Sequence, residues 1–278
     1  MRKDEIHPCC LTIAGSDSGG NAGVQADLRA FHAYGLHGCT VFAALTAQNP
    51  RAVSAVHQVP PQFVAAQLDA VLGAYEIRAL KTGMLSDPQS IEVIADRLSR
   101  NPSIYKVVDP VMVATSGVRL VSEDAVRSIK RAILPIATLV TPNLPEAEIL
   151  CGREVSDPNA ERGKTAADAA DLARRIHDLY GCAVLVKGGH GSESTAVDVL
   201  FDGRNIQEFS LPWIDAPIST HGTGCSLSAA LAAELALGRA LPDAVAGAKA
   251  FVHDAVENSY LVGPGCGVLD FARRKVDG

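Results

Sequence analysis

Short apolar runs alternate with longer amphipathic segments along most of this 278-residue chain. Each run is rich in Val, Ile and Leu and ends at Gly, Pro, Asn or Asp, which is typical of a buried strand. The pattern predicts six such strands, at CCLTIAG (9–15), CTVFAAL (39–45), IRALKTG (77–83), YKVVDPV (105–111), ATLVTPN (137–143) and AVLVKGG (183–189). Between them, apolar residues at spacings of three and four predict helices within 21–35, 60–73, 87–100, 122–134 and 164–181.

The pattern changes after Gly191. There TAVDVLF (195–201) and IQEFSL (206–211) flank the turn sequence DGRN, which predicts an antiparallel hairpin. A glycine-led helix is predicted to begin near Gly222, and a final helix to run from Leu241 to Tyr260. Strands that alternate with helices form a parallel sheet covered on both faces. We therefore expect one α/β domain over residues 1–278.

Composition and charge narrow the function classes. The net charge of −6 and the pI of about 5.7, without a basic run, argue against a nucleic-acid partner. Seven scattered cysteines, none spaced C-x-x-C, favour a reducing cytosol over a disulfide scaffold or a zinc site. The apolar run near the N-terminus is too short for a signal peptide or a membrane span. A soluble, cytoplasmic protein is expected.

Polar and glycine-rich sequences follow six of the predicted strands. In open α/β sheets, functional residues gather just beyond the C-terminal ends of the strands. Those ends carry glycine, amide, carboxylate and lysine groups in GSDSGGNAG, TAQN, KTGML, DPVM, TPNLPE and VKGGH. The sequence therefore predicts an active site at one edge of the sheet.

The sequence HGTGC (221–225) leads into an alanine-rich helix. A glycine turn at a helix N-terminus presents backbone N–H groups to an anion, although the same turn also suits close helix packing. It is not a P-loop, because no lysine follows. A thiol at a helix N-terminus has a lowered pKa, so Cys225 is expected to be a thiolate near neutral pH and a candidate nucleophile or base. His221 would be the partner in a cysteine hydrolase.

The loop G15-S-D-S-G-G-N-A-G23 follows the first strand and opens a helix. It lacks the G-x-G-x-x-G spacing of dinucleotide-binding proteins. It also lacks the G-x-S-x-G elbow of hydrolases, since Ser16 occupies the first glycine position. A flexible turn with a polar floor explains the pattern equally well, and Asp27 would be an ordinary solvent-facing carboxylate on the next turn.

Two acidic residues stand at neighbouring strand ends, Asp109 in VVDPV and Glu146 in TPNLPE. Two carboxylates beside a glycine-rich anion site suggest Mg²⁺ next to a polyphosphate. Lys187 in VLVKGGH would neutralise a phosphate, or simply end a strand in solvent. Gln48 and Asn49 offer hydrogen bonds to a flat heterocycle, or form a turn.

These motifs, in this order over about residues 11–236, resemble the hydroxymethylpyrimidine/phosphomethylpyrimidine kinases of thiamine biosynthesis, which have a ribokinase-like fold. The resemblance rests on AGSDSGGNAGVQAD, TAQNP, KTGML, DPVM, TPNLPEAE, VKGGH and HGTGC. It implies a three-layer α/β/α fold with a central, mostly parallel sheet, and usually a homodimer. It also implies MgATP-dependent phosphorylation of the pyrimidine's hydroxymethyl group and then of the monophosphate.

The resemblance also implies roles for individual residues. The pyrimidine pocket would be lined by Gly15, Asp27, Gln48, Met84 and Val111, with polar contacts from Gln48 and Asp27. The Mg-phosphate region would comprise Asp109, Asn143 and Glu146, with Asp109 and Glu146 holding the metal and Lys187 meeting a phosphate. The anion hole would be formed by Gly222, Thr223 and Gly224, with Cys225 as the base where most ribokinase-like sugar kinases carry aspartate.

Two departures from the family pattern leave substrate choice open. Asn21 replaces an expected glycine, and the tail GPGCGVLDF lacks the usual G-H-G-P-[VL]-x-H-F ending. The segment EVSDPNAERGK (154–164) is expected to be an exposed loop. The rival interpretations are a cysteine-type pyridoxal kinase, a dual kinase, a non-catalytic ligand-binding protein on the same fold and, well behind them, a cysteine hydrolase.

Overall fold

The protein forms three layers, with helices on both faces of a nine-stranded sheet. The computed structural model describes residues 6–112, 121–153, 165–188 and 195–272. The strands are β1 (Cys9–Gly15), β2 (His37–Asn49), β3 (Ala52–Gln58), β4 (Ile77–Thr82), β5 (Tyr105–Val108), β6 (Leu139–Val140), β7 (Ala183–Val186), β8 (Thr195–Phe201), β9 (Ile206–Pro212), β10 (Tyr260–Gly263) and β11 (Cys266–Val268). The helices are α1 (Gly23–Ala33), α2 (Pro61–Ala74), α3 (Pro88–Ser99), α4 (Glu123–Ser128), α5 (Leu144–Leu150), α6 (Ala166–Tyr180), α7 (Thr223–Ala236) and α8 (Leu241–Glu257).

The sheet has the strand order β3-β2-β1-β4-β5-β6-β7-β8-β9. Six strands are parallel to one another, namely β2, β1, β4, β5, β6 and β7 in their order across the sheet. The other three, β3, β8 and β9, pair antiparallel with their neighbours. The predicted mostly parallel sheet and the predicted hairpin after Gly191 are both confirmed. β10 and β11 form a separate two-stranded sheet.

Two apolar cores fill the space between the layers. One lies between the sheet and α2 through α6, and the other between the sheet and α1, α7 and α8. Within α7, every residue from Ser226 to Ala236 is buried. Because most of these side chains are alanine or serine, α7 packs closely against α1, α8 and the central strands. This close packing brings the N-terminus of α7 to the C-terminal edge of the sheet.

Several predicted boundaries were wrong for identifiable reasons. The final helix ends at Glu257, and Tyr260 instead begins β10. The helix predicted over 122–134 is α4 followed by a π-helical turn and a 3-10 turn, because Pro135 has no N–H to donate to a preceding carbonyl. The strand predicted over 137–143 is only Leu139–Val140, and it stops before Pro142.

Several elements follow from no pattern that we recognised in the sequence. β2 continues through TAQN to Asn49 and pairs with β3. All seven residues of β3 are exposed, so neither face of this strand needs the alternating apolar residues by which a half-buried strand is recognised. α5 is short and was interpreted as a strand end. Among the helices that the structure describes, none combines the length and the apolar character required to cross a membrane.

Candidate active site

The carboxyl ends of β1, β4, β5, β6 and β7 meet at one edge of the sheet, beside the N-terminus of α7. Asp109 follows β5, Asn143 follows β6 and Lys187 follows β7. The parallel pairing of these strands makes their ends neighbours in space, as the sequence predicted. The predicted segment VKGGH also includes Gly189 and His190, which lie outside the described residues, as does the loop predicted at 154–164.

Asp109 and Lys187 form a buried ion pair at this edge. Lys187 Nζ lies 3.0 Å from Asp109 Oδ1, and the two side chains are 17% and 1% exposed. The Ser228 hydroxyl donates to Asp109 Oδ2 over 3.2 Å. Burial alone would lower the pKa of Lys187, but Asp109 and Glu146 raise it, so the lysine is charged. Lys187 is therefore a fixed cation at a strand end and not the solvated lysine of the rival interpretation.

Glu146 is held by backbone N–H groups rather than by a cation. Its two carboxylate oxygens accept from Met112 over 3.3 Å and from Asn143 over 2.9 Å, while Asn143 Oδ1 accepts the Glu146 N–H over 2.8 Å. Asn143 and Glu146 thus form the capping box of α5. Burial raises the pKa of Glu146 to about 7, opposed by Lys187 and assisted by the negative charge of Asp109.

The predicted anion hole lies opposite the Asp109–Lys187 pair. Gly222 is the N-cap of α7 with φ of 87°, and a Cβ there would collide with the Asn21 carbonyl, so only glycine fits. A Cβ placed on Gly224 would lie 3.5 Å from Lys187 Nζ and 4.0 Å from Asp109 Oδ2. The Thr223 N–H donates to the Thr220 carbonyl over 3.4 Å, so it is partly committed. The positive end of α7 and Lys187 therefore face the same small space.

Cys225 stands at the start of α7, but its thiol differs from the expectation. Burial raises the pKa of Cys225, and the neighbouring Lys81 and the Gly23 N–H lower it only in part. The expected thiolate near neutral pH is therefore wrong for the ligand-free protein. Helix N-termini lower a thiol pKa only where solvent or charge compensates burial, and here the effect of burial is the larger.

The loop from Gly15 to Gly23 is organised by Asp17, a residue to which sequence reasoning assigned no role. Its carboxylate accepts N–H groups of Gly19, Asn21 and Ala22 over 2.8 to 3.0 Å. Burial alone would raise the pKa of Asp17, but His221 and these backbone donors lower it. His221 Nε2 lies 3.8 Å from Asp17 Oδ2. Asp17 therefore connects this loop to the loop that precedes α7.

Residues assigned to the pyrimidine pocket mostly surround the same loop. A Cβ on Gly15 would lie 2.9 Å from the Met84 methyl, so these two residues are in contact. Gln48 exchanges backbone–hydroxyl hydrogen bonds of 2.7 Å with Ser18. Asn49, the alternative turn residue, accepts N–H groups of Arg51 and Ala52 between β2 and β3. Val111 is half-buried and donates its N–H to the Asp109 carbonyl over 2.9 Å.

Asp27 does not line that pocket, which corrects both expectations for it. Its side chain is 0% exposed, so it neither faces solvent nor presents an oxygen to a ligand. Lys81 Nζ donates to both of its oxygens over 2.9 Å, and the Thr12 hydroxyl donates over 2.5 Å. Asp27 lies on the buried side of α1, one turn after Gly23. Lys81 was missed because a lysine within IRALKTG carries no sign of its partner.

A second buried pair supports the backbone next to Lys187. Asp198 on β8 accepts the Gly188 N–H over 3.0 Å and lies 2.6 Å from Lys249 Nζ on α8. The sequence offered no signal for it. Across the described ranges, no group of three or more His, Cys, Asp or Glu side chains is arranged to hold a metal ion. A cation at Asp109 and Glu146 would need further ligands from water or phosphate.

Comparisons with known proteins identify similar kinases. Residues 17–270 match the family described as phosphomethylpyrimidine kinase. A hydroxymethylpyrimidine/phosphomethylpyrimidine kinase of Rhizobium meliloti is 47% identical over 88% of this chain and 89% of its own. A thiamine biosynthesis bifunctional protein of Geobacter sulfurreducens is 46% identical over 94% of this chain, which spans only 51% of that protein.

Among solved structures, a Bacillus subtilis pyridoxal kinase in complex with ADP superposes with a TM-score of 0.84 at 33% identity, covering 96% of this chain and 98% of its own. This likeness confirms the ribokinase-like α/β/α fold predicted from the motifs. The family match covers well over half of the chain, from Asp17 of the first glycine-rich loop to beyond α8. The chain belongs to the phosphomethylpyrimidine kinase family.

Proposed function

We propose that this protein is an ATP-dependent kinase that phosphorylates 4-amino-5-hydroxymethyl-2-methylpyrimidine and then its monophosphate, giving the diphosphate used in thiamine biosynthesis. The observation that carries the proposal is the approach of Gly224 to the Asp109–Lys187 pair at the sheet edge. An anion-binding helix end that faces a fixed cation suits a phosphoryl group in transfer. The family match supports the pyrimidine as the acceptor.

The residues of the sheet edge suit MgATP. Lys187 would contact a phosphate, and Asp109, Asn143 and Glu146 would form the metal-phosphate region. Burial is the main cause of the raised pKa of Glu146, and the charge of Asp109 adds to it, so a cation bound between the two carboxylates would favour their charged forms. The chemistry that a bound Mg²⁺ supplies is charge compensation on phosphate oxygens. Asp109 and Glu146 would hold it together with water and phosphate ligands.

The acceptor would bind beside the Gly15–Gly23 loop. Gly15, Gln48, Met84 and Val111 would line its pocket, and Gln48 would supply polar contacts to the heterocycle. We assign Asp27 no direct contact with the acceptor, since its oxygens are occupied. Asn21, whose carbonyl contacts Gly222, lies where the acceptor loop meets the anion hole. As the residue that replaces an expected glycine there, it would influence which acceptor fits, together with the atypical tail.

Transfer would proceed by attack of the acceptor oxygen on the γ-phosphorus of ATP as the β–γ bridging bond breaks. Gly222, Thr223 and Gly224 would stabilise the charge on the phosphoryl oxygens, and ADP would leave. Cys225, in its thiolate form, would orient the acceptor group and take the hydroxyl proton on its sulfur, becoming a thiol. Because the transition state is loose, charge compensation contributes more than base strength.

The test is MgATP-dependent ADP release with the hydroxymethylpyrimidine and pyridoxal assayed side by side. Turnover on the pyrimidine, followed by turnover on its monophosphate, supports the proposal. Preference for pyridoxal would support the kinase chemistry but indicate a role in vitamin B6 salvage instead of thiamine biosynthesis. Release of no ADP from either acceptor would overturn the kinase proposal in favour of a ligand-binding protein. A Mg²⁺-independent activity would instead indicate a hydrolase.

Pyridoxal kinase activity, alone or in addition, is the second candidate function. The specific observation in its favour is the likeness to the Bacillus subtilis pyridoxal kinase, which covers nearly the whole chain. Both acceptors are flat nitrogen heterocycles bearing a hydroxymethyl group, so one pocket could accept both. Identity is higher to the pyrimidine kinases, which is why we place pyridoxal second.

We also propose that residues 1–278 act as one kinase domain in a cytoplasmic homodimer. The exposed strand β3 at the sheet edge supports association, since proteins usually pair or cover such an edge. The described cysteines are all free thiols, which suits a reducing compartment. Light scattering coupled to gel filtration tests the dimer, and a monomer at micromolar concentration would overturn it.

A further inference from the structure

Lys81 and Asp27 form an ion pair that is completely removed from solvent. Both side chains are 0% exposed, and Lys81 Nζ donates to both carboxylate oxygens over 2.9 Å. The Thr12 hydroxyl donates to the same carboxylate over 2.5 Å. Taking two charges out of water is costly, and well-packed apolar residues are often equally stable in such positions. The pair therefore needs a reason other than stability.

The pair lies beneath the start of α7. Asp27 is one turn along α1 from Gly23, whose N–H is among the groups that lower the pKa of the Cys225 thiol. Lys81 is near the end of β4, and a Cβ on Gly83 would lie 2.9 Å from its Nζ, directly behind the KTGML turn. Helix α7 packs on both α1 and β4. Cys225, at the start of α7, thus lies near both α1 and β4, the two elements that carry the pair.

We propose that Lys81, held in place by Asp27, is a positioning residue that keeps a positive charge next to the Cys225 sulfur when that sulfur acts on a proton. The inference rests on the proposed function, in which Cys225 takes the acceptor's hydroxyl proton. Lys81 touches no substrate in this arrangement. It acts through Cys225 alone.

The charges around Cys225 have opposing effects. Burial raises the pKa of Cys225, and Lys81 is the strongest influence that lowers it, while Asp27 and Asp109 raise it. The interaction is mutual, since Cys225 is among the groups that raise the pKa of Lys81. Cys225 also raises the pKa of Lys187, which faces the anion hole. Without Lys81, the two carboxylates would leave the sulfur in a mainly negative environment.

The test compares three variants with the wild-type protein. Lys81→Met removes the cation, and Lys81→Met/Asp27→Asn replaces the whole pair by neutral side chains that fill the same space. Lys106→Met is the matched control, because Lys106 is also buried on a neighbouring strand but donates to the carbonyls of Asn101 and Ile104. The readouts are the thermal midpoint and the pH dependence of Cys225 alkylation by iodoacetamide, followed on its own peptide by mass spectrometry.

We expect Lys81→Met to alkylate about tenfold more slowly at pH 8, as a rise of one unit in the thiol pKa implies. The double variant should melt close to the wild-type temperature and show a smaller slowing in the same direction, because it also removes Asp27, whose charge opposes that of Lys81. Lys106→Met should alkylate like the wild type. Wild-type alkylation profiles in the Lys81 variants that fold would overturn the proposal and make the pair purely structural.

The alkylation profile also separates this inference from the proposed function. Alkylation needs neither ATP nor acceptor, and Cys225 is only half-buried, so the reagent can reach it. If the wild-type protein releases no ADP but the alkylation shift is present, the kinase proposal fails and the charge assignment stands. If turnover is normal and no shift appears, only the Lys81 proposal fails.

Discussion

Lys187 Nζ lies 3.0 Å from Asp109 Oδ1, and this contact joins the ends of β5 and β7 across the intervening strand β6. The Thr141 hydroxyl, directly after the two-residue β6, also donates to Asp109 Oδ1, over 3.4 Å. Lys187 is further held by its own N–H, which donates to the Pro142 carbonyl over 2.8 Å. The pair therefore fixes the width of the site as well as its charge.

Lys187→Met should weaken both folding and nucleotide binding. The substitution leaves Asp109 buried without its cation, which we expect to lower the free energy of unfolding by about 2–4 kcal/mol after allowing for the partial exposure of Lys187. The KM for MgATP should rise, because a phosphate loses its fixed cation. Urea unfolding and initial-rate kinetics measure the two effects.

Arg131→Met is the matched control for Lys187→Met. It removes the exposed Arg131–Glu92 pair, whose side chains are 72% and 46% exposed, and should change the free energy of unfolding by less than about 0.5 kcal/mol. Equal losses in the two variants would contradict the assignment of Lys187 to the site.

Gly224→Ala should cost at least as much turnover as Cys225→Ala. The added methyl would make only ordinary contacts, at 3.5 Å from Lys187 Nζ and 4.0 Å from Asp109 Oδ2, so the fold should survive. It would nevertheless occupy the space proposed for the phosphoryl oxygens. We expect kcat to fall by about 100-fold or more, the usual cost of losing one oxyanion donor.

Gly73→Ala provides the control for that comparison. Gly73 lies in α2 with nothing within 4 Å of an added Cβ, so its turnover should be unchanged. Initial rates of all three variants at saturating substrate decide the ranking. If Cys225→Ala abolished turnover while Gly224→Ala kept it, base strength rather than charge compensation would dominate the reaction.

The fold was predictable from the sequence wherever the spacing of apolar residues follows from which side chains are buried. Buried parallel strands such as β1 and β4 appear as continuous apolar runs, and amphipathic helices such as α6 appear as residues spaced by three and four. β3 was not predictable, because its stability comes from backbone pairing with β2 rather than from an apolar face. The end of α8 was missed because apolar spacing continues into β10.

The candidate site was predictable where function follows from position on the chain. Asp109, Lys187 and Gly222 stand at strand or helix ends, which the sequence marks with glycine and proline. Asp27 and Lys81 are 54 residues apart and meet only in the folded protein. Whether a carboxylate faces solvent, a ligand or a lysine depends on that partner, so no spacing rule could assign Asp27 correctly.

Asp17→Ala should destabilise the loop that separates the acceptor from the anion hole. It would leave the N–H groups of Gly19, Asn21 and Ala22 without their acceptor, at a cost of about 2–4 kcal/mol in the free energy of unfolding. Asp87→Ala, which removes the N-cap of α3, should cost about 1 kcal/mol and leave turnover unchanged.

The effect of Asp17 should also depend on pH in a defined direction. The pKa of Asp17 is lowered in the folded protein by His221 and the backbone donors, despite burial. A carboxyl whose pKa is lower in the folded protein stabilises the fold at pH values above its pKa in the unfolded chain. This contribution is lost as the pH falls through the pKa of the folded protein. The difference between wild type and Asp17→Ala in urea unfolding should therefore be constant from pH 8 to 5 and shrink below about pH 4. A difference that grew on acidification would contradict this account.

Asp198→Ala should act on nucleotide binding from a distance. Asp198 receives the Gly188 N–H over 3.0 Å and lies 2.6 Å from Lys249 Nζ, so it fixes the backbone immediately after Lys187. Removing the carboxylate leaves Lys249 nearly buried without its partner, which should cost about 3 kcal/mol in the free energy of unfolding. The freed backbone should also let Lys187 move, raising the KM for MgATP several-fold while kcat changes less.

Asp202→Ala separates that positioning effect from a general weakening of the hairpin. Asp202 lies on the same hairpin, but its carboxylate accepts the Arg204 and Asn205 N–H groups in an exposed turn, far from Gly188 along the strand. We expect this control to keep the wild-type KM for MgATP, because no backbone group next to Lys187 depends on it. If Asp198→Ala lowered the free energy of unfolding but left that KM unchanged, its carboxylate would support only the fold, and Lys187 would be positioned by Asp109 and Pro142 alone.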